Sequence, residues 1–277
     1  MSILEAIVLG LVQGLTEFIP ISSTAHLKIV PVLLGWGDPG AAASAVIQLG
    51  TIAAVIIYFF RDIFRISVAW FRGLFSGKPF VEEDSRLGWY IIIGSIPIVV
   101  LGILFKNFIE TTARSLWIIA FSLVFVAVLL MIAEKYAARF EARTIHDLNM
   151  KDAVAIGFGQ AMALIPGMSR SGSTIMTSLF RKFTREAAAR FSFLLSIPAI
   201  TGAALFQMRE QWDHLGNVGW TPILVATIVA FASGWASIWF LLRYLRTHTT
   251  AVFIWYRIAL AVVLAGLLLA GVLTPYQ

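Results

Sequence analysis

The segment GLTEFIPISSTAH, residues 14–26, brings an acid, a proline, two serines, a threonine and a histidine into an otherwise apolar amino terminus. A proline removes a helical hydrogen bond and clashes with the preceding turn, so a helix that runs through Glu17 should end or bend at Pro20. A second apolar region contains PGMSRSGST, residues 166–174, in which Pro166 and Gly167 precede small polar residues. The sequence therefore predicts two broken helices.

The rest of the chain has the composition of a membrane protein. Of its 277 residues, 59% are hydrophobic and 13% are charged, whereas soluble domains carry about 25% charged residues. Six apolar stretches approach the roughly 20 residues that span a bilayer as a helix; they are 42–60, 87–105, 115–133, 191–208, 218–242 and 249–273, the last interrupted only by Arg257. We predict an all-α polytopic membrane protein with one membrane domain, residues 1–277.

The basic residues give an orientation. Fifteen of the 21 Lys and Arg lie in segments 61–86, 134–151, 181–190 and 243–246, which the positive-inside rule assigns to the cytoplasm. Residues 3–34 must then begin and end outside, and residues 152–180 must begin and end in the cytoplasm, as expected of re-entrant hairpins. Residues 61–86 are interpreted as a solvated connector. No long basic tail is present, so we expect no nucleic-acid partner. No Lys or Arg precedes Lys28, so we expect no secretory signal.

The two broken regions also resemble each other. At an offset of 147 residues, the matching pairs are Gly10 with Gly157, Gln13 with Gln160, Ser22 with Ser169, and Thr24 with Ser171. Halves of roughly 1–140 and 141–277 would each contain one re-entrant hairpin and three transmembrane helices, and the odd number of crossings inverts one half relative to the other. Inverted repeats of this kind form binding sites where their broken helices meet.

Gln13 and Glu17 are the first candidate site residues. Being four positions apart, they share one face of a helix and can hold one ligand or ion between them. A carboxylate at membrane depth costs about 2.5–3.5 kcal/mol on insertion scales, so Glu17 is expected to have a function. The alternative is that Glu17 lies near the outer surface in water.

Hydroxyl groups and an imidazole follow the first break. Ser22, Ser23 and Thr24 can cap the next helix or bind a ligand. His26 lies three and four positions beyond Ser23 and Ser22, within reach to accept a hydroxyl proton. A structural His26 is the alternative.

The second break has the composition of an anion site. Arg170 is expected to bind phosphate in a bidentate manner, and Ser169, Ser171 and Thr174 to donate further hydrogen bonds. The alternative is that Arg170 snorkels to the cytoplasm. Arg257 is interpreted as a structural residue within snorkelling reach of the cytoplasmic surface. Gln48 and Ser196 either pack between helices or line the site.

These motifs resemble those of the undecaprenyl pyrophosphate phosphatase, or bacitracin-resistance, family. Its pattern E/Q-x-x-x-E matches Gln13 and Glu17, with Gln13 where many members have Glu; its Ser and His elements match Ser22, Ser23 and His26; and its P-G-x-S-R-S-x-x-T matches residues 166–174. The resemblance covers nearly the whole chain.

The resemblance implies a phosphatase that converts undecaprenyl diphosphate to the monophosphate carrier lipid in the bacterial inner membrane. It implies an active site open to the outer face and a divalent cation, Mg²⁺ or Ca²⁺, positioned by Glu17 with Gln13. Arg170 would neutralise phosphoryl charge, and His26 would act as base or nucleophile with Ser23. The attacking group remains open among Ser23, His26 and water. The expected partners are this lipid and the membrane, with a homodimer as an open alternative.

Two other functions compete with this one. A transporter of polyprenyl phosphate would also use an inverted repeat and an anion site. An acid and a histidine beside that site favour chemistry instead. A phosphatidic-acid type phosphatase would also use Ser, Arg and His, but the K-x6-R-P motif of that class is absent.

Overall fold

The computed structural model describes residues 1–36, 40–210 and 219–276. The helices are α1 (Ile3–Phe18), α2 (Ser23–Leu33), α3 (Gly40–Tyr58), α4 (Phe60–Phe75), α5 (Glu83–Leu104), α6 (Lys106–Glu110), α7 (Leu116–Ala137), α8 (Met150–Ala161), α9 (Arg170–Phe180), α10 (Arg185–Glu210), α11 (Trp220–Tyr244) and α12 (Ala251–Leu269). Short 3₁₀ turns at Thr112–Arg114, Ile145–Asp147 and Met162–Leu164 complete the regular structure of the described residues.

Five helices are long and apolar enough to cross a membrane: α5, α7, α10, α11 and α12. They match five of the six predicted spans. The sixth, 42–60, coincides with α3, of which Val46–Tyr58 forms a shorter apolar helix. Residue 218, where one predicted span begins, lies outside the described residues. The prediction of an all-α, multi-pass membrane protein is confirmed.

Both predicted breaks are present. The chain leaves α1 at Phe18 and re-enters helix at Ser23, and it leaves α8 at Ala161 and, after a 3₁₀ turn, re-enters helix at Arg170. The residue that caps the second helix is a serine in each case, Ser22 with φ 77° and Ser169 with φ 67°. A left-handed backbone is strained for a residue with a side chain, which is typical of functional sites.

The four basic segments lie together at one end of the helices, joined by ion pairs. Arg190 of α10 pairs with Asp62 of α4 at 2.7 Å, and Arg185 pairs with Glu134 of α7 at 2.7 Å. Arg246, which follows α11, reaches Glu186 at 2.8 Å. Segments far apart in the sequence therefore share one face, as the positive-inside prediction requires.

The interpretation of residues 61–86 as a solvated connector is wrong for its first part, which forms α4. Ile66 and Gly73 of α4 are buried, whereas Phe64, Phe71 and Phe75 are exposed. Apolar residues spaced about four apart form one stripe on a helix. The three arginines and Asp62 in the same segment concealed this period.

Close helix packing fixes the first break. A Cβ atom on Gly10 would lie 2.5 Å from the carbonyl oxygen of Ala226, so only glycine lets α1 approach α11 this closely. In the same way, a Cβ atom on Gly157 of α8 would lie 2.4 Å from the carbonyl oxygen of Gly94 on α5. At the end of α1, Phe18 is fully buried and meets Phe193 of α10 edge to face, with ring centroids 5.4 Å apart. The residues around Glu17 thus rest on a packed core.

Candidate active site

The two breaks border one pocket of about 390 Å³. Its walls come from α1, α2, α3, α5, α6, α10, the 3₁₀ turn Thr112–Arg114 and the two breaks. Its polar lining residues include Gln13, Glu17, Ser22, Ser23, Thr24, Lys28, Gln48, Arg114, Ser169, Arg170 and Gln207. A cavity of about 360 Å³ at the basic end is lined by ion-paired residues such as Asp62 and Arg190. The pocket between the breaks gathers most of the predicted site residues and is therefore the candidate active site.

Glu17 is the centre of the polar contacts in this pocket. Its Oε2 accepts hydrogen bonds from the Ser23 hydroxyl at 2.8 Å and from Gln13 Nε2 at 3.1 Å. Its Oε1 lies 3.5 Å from a terminal nitrogen of Arg170. The residue is 8% exposed, and burial of a carboxylate is costly unless donors of this kind surround it. The Ser23 hydroxyl hydrogen-bonded to a carboxylate is the arrangement of a nucleophile with its base.

Arg170 comes to Glu17 from the second break. One of its terminal nitrogens donates to the backbone oxygen of Ser192 at 3.3 Å and the other faces Glu17. Its Nε is buried and has no acceptor among the described residues. The alternative that Arg170 snorkels to the cytoplasm is wrong, because its side chain is only 10% exposed. An unpartnered N–H of a buried guanidinium beside a pocket is suited to an anionic ligand.

The hydroxyl groups of the second break mostly fix its shape. Ser169 caps α9 by accepting from the Gly172 amide at 3.1 Å, and it also lines the pocket. Ser171 donates to the carbonyl oxygen of Ile19 at 3.2 Å, which joins the second break to the first. Thr174 donates to the Arg170 carbonyl oxygen at 2.8 Å. Ser171 and Thr174, predicted as phosphate donors, do not line the pocket.

His26 is not brought to Ser23. Its Nδ1 lies 2.7 Å from the Ser22 carbonyl oxygen, and its Nε2 lies 2.6 Å from the hydroxyl oxygen of Tyr256 on α12. The two rings stack with centroids 5.6 Å apart. The physical reason is the helical period: position 26 lies one turn beyond Ser22 and shares its face, whereas the adjacent Ser23 hydroxyl points to Glu17. The structure therefore gives His26 a structural setting.

Sequence reasoning missed two cations of the pocket. Lys28 and Arg114 both line it, so three cations stand against the single carboxylate of Glu17 among the lining residues. Lys28 lies four positions beyond Thr24 and therefore shares its helix face, so this spacing could have predicted that Lys28 lines the pocket. Arg114 follows α6 and carries no such signal. Gln48 lines the pocket, which was one of its two expected roles.

Arg257 has a different setting from the one expected. Its side chain is 0% exposed, so the expectation that it snorkels to the surface is wrong. Its nitrogens donate to backbone carbonyl oxygens of α7 and of both breaks. Chain position placed it near a helix end, whereas its contacts come from segments that are distant in sequence.

The pocket offers few ligands for a divalent cation. The described residues contain no group of three or more His, Asp or Glu that could hold a metal ion. Glu17 nevertheless offers a carboxylate, and Gln13, whose Nε2 donates to that carboxylate at 3.1 Å, also carries an amide oxygen beside the pocket. Mg²⁺ is commonly held by one or two carboxylates together with substrate phosphates and water. The residues therefore fit a cation that is bound jointly with a phosphorylated substrate.

Comparisons with known proteins give one family. The sequence model of the family described as "Bacitracin resistance protein BacA" matches residues 6–263. The chain is 53% identical over 283 aligned residues to the undecaprenyl-diphosphatase of Chloroherpeton thalassium, covering 100% of both chains. It is 53% identical to that of Myxococcus xanthus, covering 99% of this chain and 92% of the relative. It is 50% identical to that of Chlorobaculum tepidum, covering 99% and 100%.

Proposed function

The chain belongs to the bacitracin resistance protein BacA family, and we infer that it is a membrane-bound hydrolase that converts undecaprenyl diphosphate to undecaprenyl phosphate and inorganic phosphate. This reaction recycles the carrier lipid of peptidoglycan synthesis. The observation that carries the inference is the full-length similarity to relatives of that name, at about half identical residues. The pocket supports it, since three cations suit a diphosphate and the Glu17–Ser23 contact suits an attack on phosphorus.

Ser23 is the proposed nucleophile and Glu17 its base. The Ser23 oxygen attacks the terminal phosphorus, Glu17 accepts the hydroxyl proton, and the anhydride P–O bond breaks to release undecaprenyl phosphate. Glu17 then gives up this proton to solvent and is a carboxylate again. Water attacks the phosphoserine, Glu17 accepts a proton from the water, and the Ser23 O–P bond breaks. Glu17 returns the proton to the Ser23 oxygen as inorganic phosphate leaves. The 2.8 Å contact between Ser23 and Glu17 supports this assignment over His26, whose two ring nitrogens already have partners.

Arg170 is the proposed ligand of the terminal phosphate. Its Nε has no partner in the described chain, and a guanidinium there would stabilise the charge that develops on the transferring phosphoryl group. Lys28 and Arg114 would hold the second phosphate, with Ser22, Thr24 and Ser169 as neighbouring polar groups of the wall. Ser171 and Thr174 would act by keeping the second break in shape.

The apolar part of the wall would receive the start of the prenyl chain. Ile98, Leu164 and Ile200 line the same pocket as the charged residues. An apolar chain that leaves the pocket between helices remains in lipid, while its diphosphate stays among the polar groups. One pocket thus offers surfaces for both parts of the lipid.

Mg²⁺ or Ca²⁺ is the proposed cofactor, held by Glu17 and Gln13 together with the substrate. When bound, such a cation would neutralise charge on the diphosphate and orient it for displacement. One carboxylate completed by substrate phosphates and water is a common way of holding Mg²⁺, which supports a cation that enters with the substrate.

The fold is proposed to be an inverted repeat with halves of roughly 1–140 and 141–277. Three helix boundaries support it, because Ile3, Ser23 and Leu33 precede their counterparts Met150, Arg170 and Phe180 by 147 residues each. The left-handed serine caps and the close-packed glycines described above recur at the same offset. We propose that both broken segments are re-entrant and belong to one domain.

The basic end is proposed to face the cytoplasm of the bacterial inner membrane, with the pocket open to the outer face. The chain has no cysteine, so single cysteines can report the orientation. Ser76→Cys, at the exposed end of α4, should be shielded from an impermeant maleimide in intact cells, whereas Thr112→Cys should be labelled. The reverse pattern would overturn the orientation.

Phosphate release from undecaprenyl diphosphate by the purified protein in detergent tests the proposed function. The parent and the exposed-residue control Arg139→Ala should release phosphate, and a chelator should stop release. Arg170→Ala and Glu17→Ala should each lose most of the rate. A folded parent without release would refute the hydrolase and leave the transporter. Full activity in chelator would refute the cation, and an active Arg170→Ala variant would refute the site.

A further inference from the structure

Arg257 is a fully buried arginine outside the pocket wall, and it contacts three segments of the chain. Its Nε donates to the carbonyl oxygen of Leu123 at 3.1 Å, and one terminal nitrogen donates to the carbonyl oxygen of Ser122 at 3.2 Å. Both acceptors belong to α7. The other terminal nitrogen donates to Pro20 in the first break at 3.3 Å. Bonds to Gly167 at 2.9 Å and to Met168 at 3.3 Å reach the second break.

The chemistry of these contacts sets Arg257 apart from the other arginines of the protein. Every acceptor recorded for it is a backbone carbonyl oxygen, and within the described part of the chain it forms no ion pair with a carboxylate. Burial of a cation is costly unless its hydrogens are satisfied. The planar guanidinium, with N–H groups pointing in several fixed directions, meets this need by joining carbonyl groups of separate segments.

The two breaks have few other links that fix their separation. Ser171 donates across to Ile19 at 3.2 Å, and Arg170 faces Glu17 at 3.5 Å within the pocket itself. Arg257 adds bonds from a single rigid group to Pro20, three residues beyond Glu17, and to Met168, two residues before Arg170. Any shift of one break relative to the other must break or stretch these bonds.

On the basis of the proposed function, we propose that Arg257 is a positioning residue that holds the two breaks at the separation the reaction requires. It acts by keeping the Ser23–Glu17 pair and the Arg170 guanidinium at a fixed distance across the bound diphosphate. The neighbouring residue Tyr256 assists by fixing His26, and through it the start of α2. A displacement of about 1 Å in a catalytic constellation can cost on the order of a hundredfold in rate.

A purely structural role is the competing explanation. In that case Arg257 would only fasten α12 to α7 through Ser122 and Leu123. Its loss would then lower the amount of folded protein without changing the rate of the molecules that do fold.

The test uses Arg257→Lys and Arg257→Met in the full-length protein, with Arg139→Met as the matched control. Lysine keeps the charge but has one nitrogen, which cannot span α7 and both breaks, and methionine removes all donors. Each variant is purified in detergent, its folded fraction is measured by size-exclusion chromatography and thermal unfolding, and kcat and KM are determined per folded molecule. Hydrogen exchange is followed in peptides covering residues 16–26 and 163–172.

Arg257→Met should lower kcat about a hundredfold and Arg257→Lys about tenfold, with KM changed less than kcat. Exchange should rise in both break peptides, although they are far apart in sequence, and Arg139→Met should match the parent. Unchanged kcat per folded molecule, or increased exchange confined to α7 and α12, would overturn the positioning role. If Arg257→Met does not fold, Arg257→Lys decides by the same criteria. A parent that releases no phosphate would instead refute the proposed function, so the two failures are distinguishable.

Discussion

The contact between Ser23 and Glu17 makes the sharpest prediction about chemistry. Glu17→Gln replaces the carboxylate by an amide of nearly the same shape, which still offers an oxygen to the Ser23 hydroxyl but takes up its proton far less readily. Ser23→Ala removes the hydroxyl. If Glu17 acts on the rate through Ser23, the two losses should not add.

The size of each effect follows from the geometry. A positioned general base contributes about 10²–10⁴-fold to a rate, which corresponds to about 3–5 kcal/mol of activation free energy. At 2.8 Å the Ser23 oxygen lies within proton-transfer distance of Glu17. We therefore expect each single variant to lose at least a hundredfold in kcat/KM. The double variant should lose at most about tenfold more than Ser23→Ala. This remainder reflects the 3.5 Å contact of Glu17 with Arg170 and the proposed part of Glu17 in holding the cation.

Phosphate release by the parent, both single variants and the double variant measures this coupling. Ser76→Ala, an exposed serine at the end of α4, serves as the control for serine removal. Thermal unfolding of each variant separates loss of fold from loss of rate, because removing one partner of a buried ion pair can cost about 3–5 kcal/mol. Fully additive losses would mean that Glu17 acts independently of Ser23, and the proposed base would be wrong.

Three further predictions concern stability and are measured by thermal unfolding in detergent. Gly14→Ala should destabilise the protein by about 1–3 kcal/mol, because its Cβ would lie 2.6 Å from the backbone oxygen of Ala230 on α11. Gly266→Ala meets nothing within 4 Å and should be neutral or stabilising. Equal effects of the two changes would refute the close packing of α1 on α11. At the strained helix cap, Ser22→Ala should lower the stability of the fold by about 1 kcal/mol. Ser22→Gly should lower it less, since glycine tolerates the φ of 77° at this position. The opposite order would contradict the strain. The Thr144 amide donates to Asp147 and holds the pKa of that carboxyl below its ordinary value. The bond therefore stabilises the fold above about pH 4, and this stabilisation is lost as pH falls through the lowered pKa. The difference in stability between the parent and Asp147→Asn should shrink in acid, and a constant difference would contradict the assignment.

Local features of the sequence predict much of the fold. Pro20 and the Pro166–Gly167 pair mark the two breaks because a proline disfavours a continuous helix, and in each case small polar residues that can cap a new helix follow it. Proline alone does not decide, since Pro31, Pro97 and Pro198 lie inside helices. The spacing of Gln13 and Glu17 predicts their shared face, and the structure joins them by a hydrogen bond. These features depend on neighbours within one or two turns.

Contacts between distant segments could not be predicted in this way. His26 bonds to Tyr256, 230 positions away, and the sequence around His26 contains nothing that selects this partner over Ser23. Arg257 depends on carbonyl groups, which every residue possesses, so its partners leave no trace in side-chain chemistry. α4 is an intermediate case, since its phenylalanine stripe has a helical period but lies among charges that suggested a loop.

The identity of the attacking group tests the central claim most directly. Undecaprenyl diphosphate labelled in its terminal phosphate is mixed with the parent, the reaction is quenched within milliseconds, and the labelled peptide is mapped. The account predicts a phosphoserine, stable in acid and labile in alkali, in the peptide that contains Ser23, and no label in Ser23→Ala. An acid-labile phosphohistidine at His26, or rapid turnover by the parent with no labelled residue at any quench time, would contradict it.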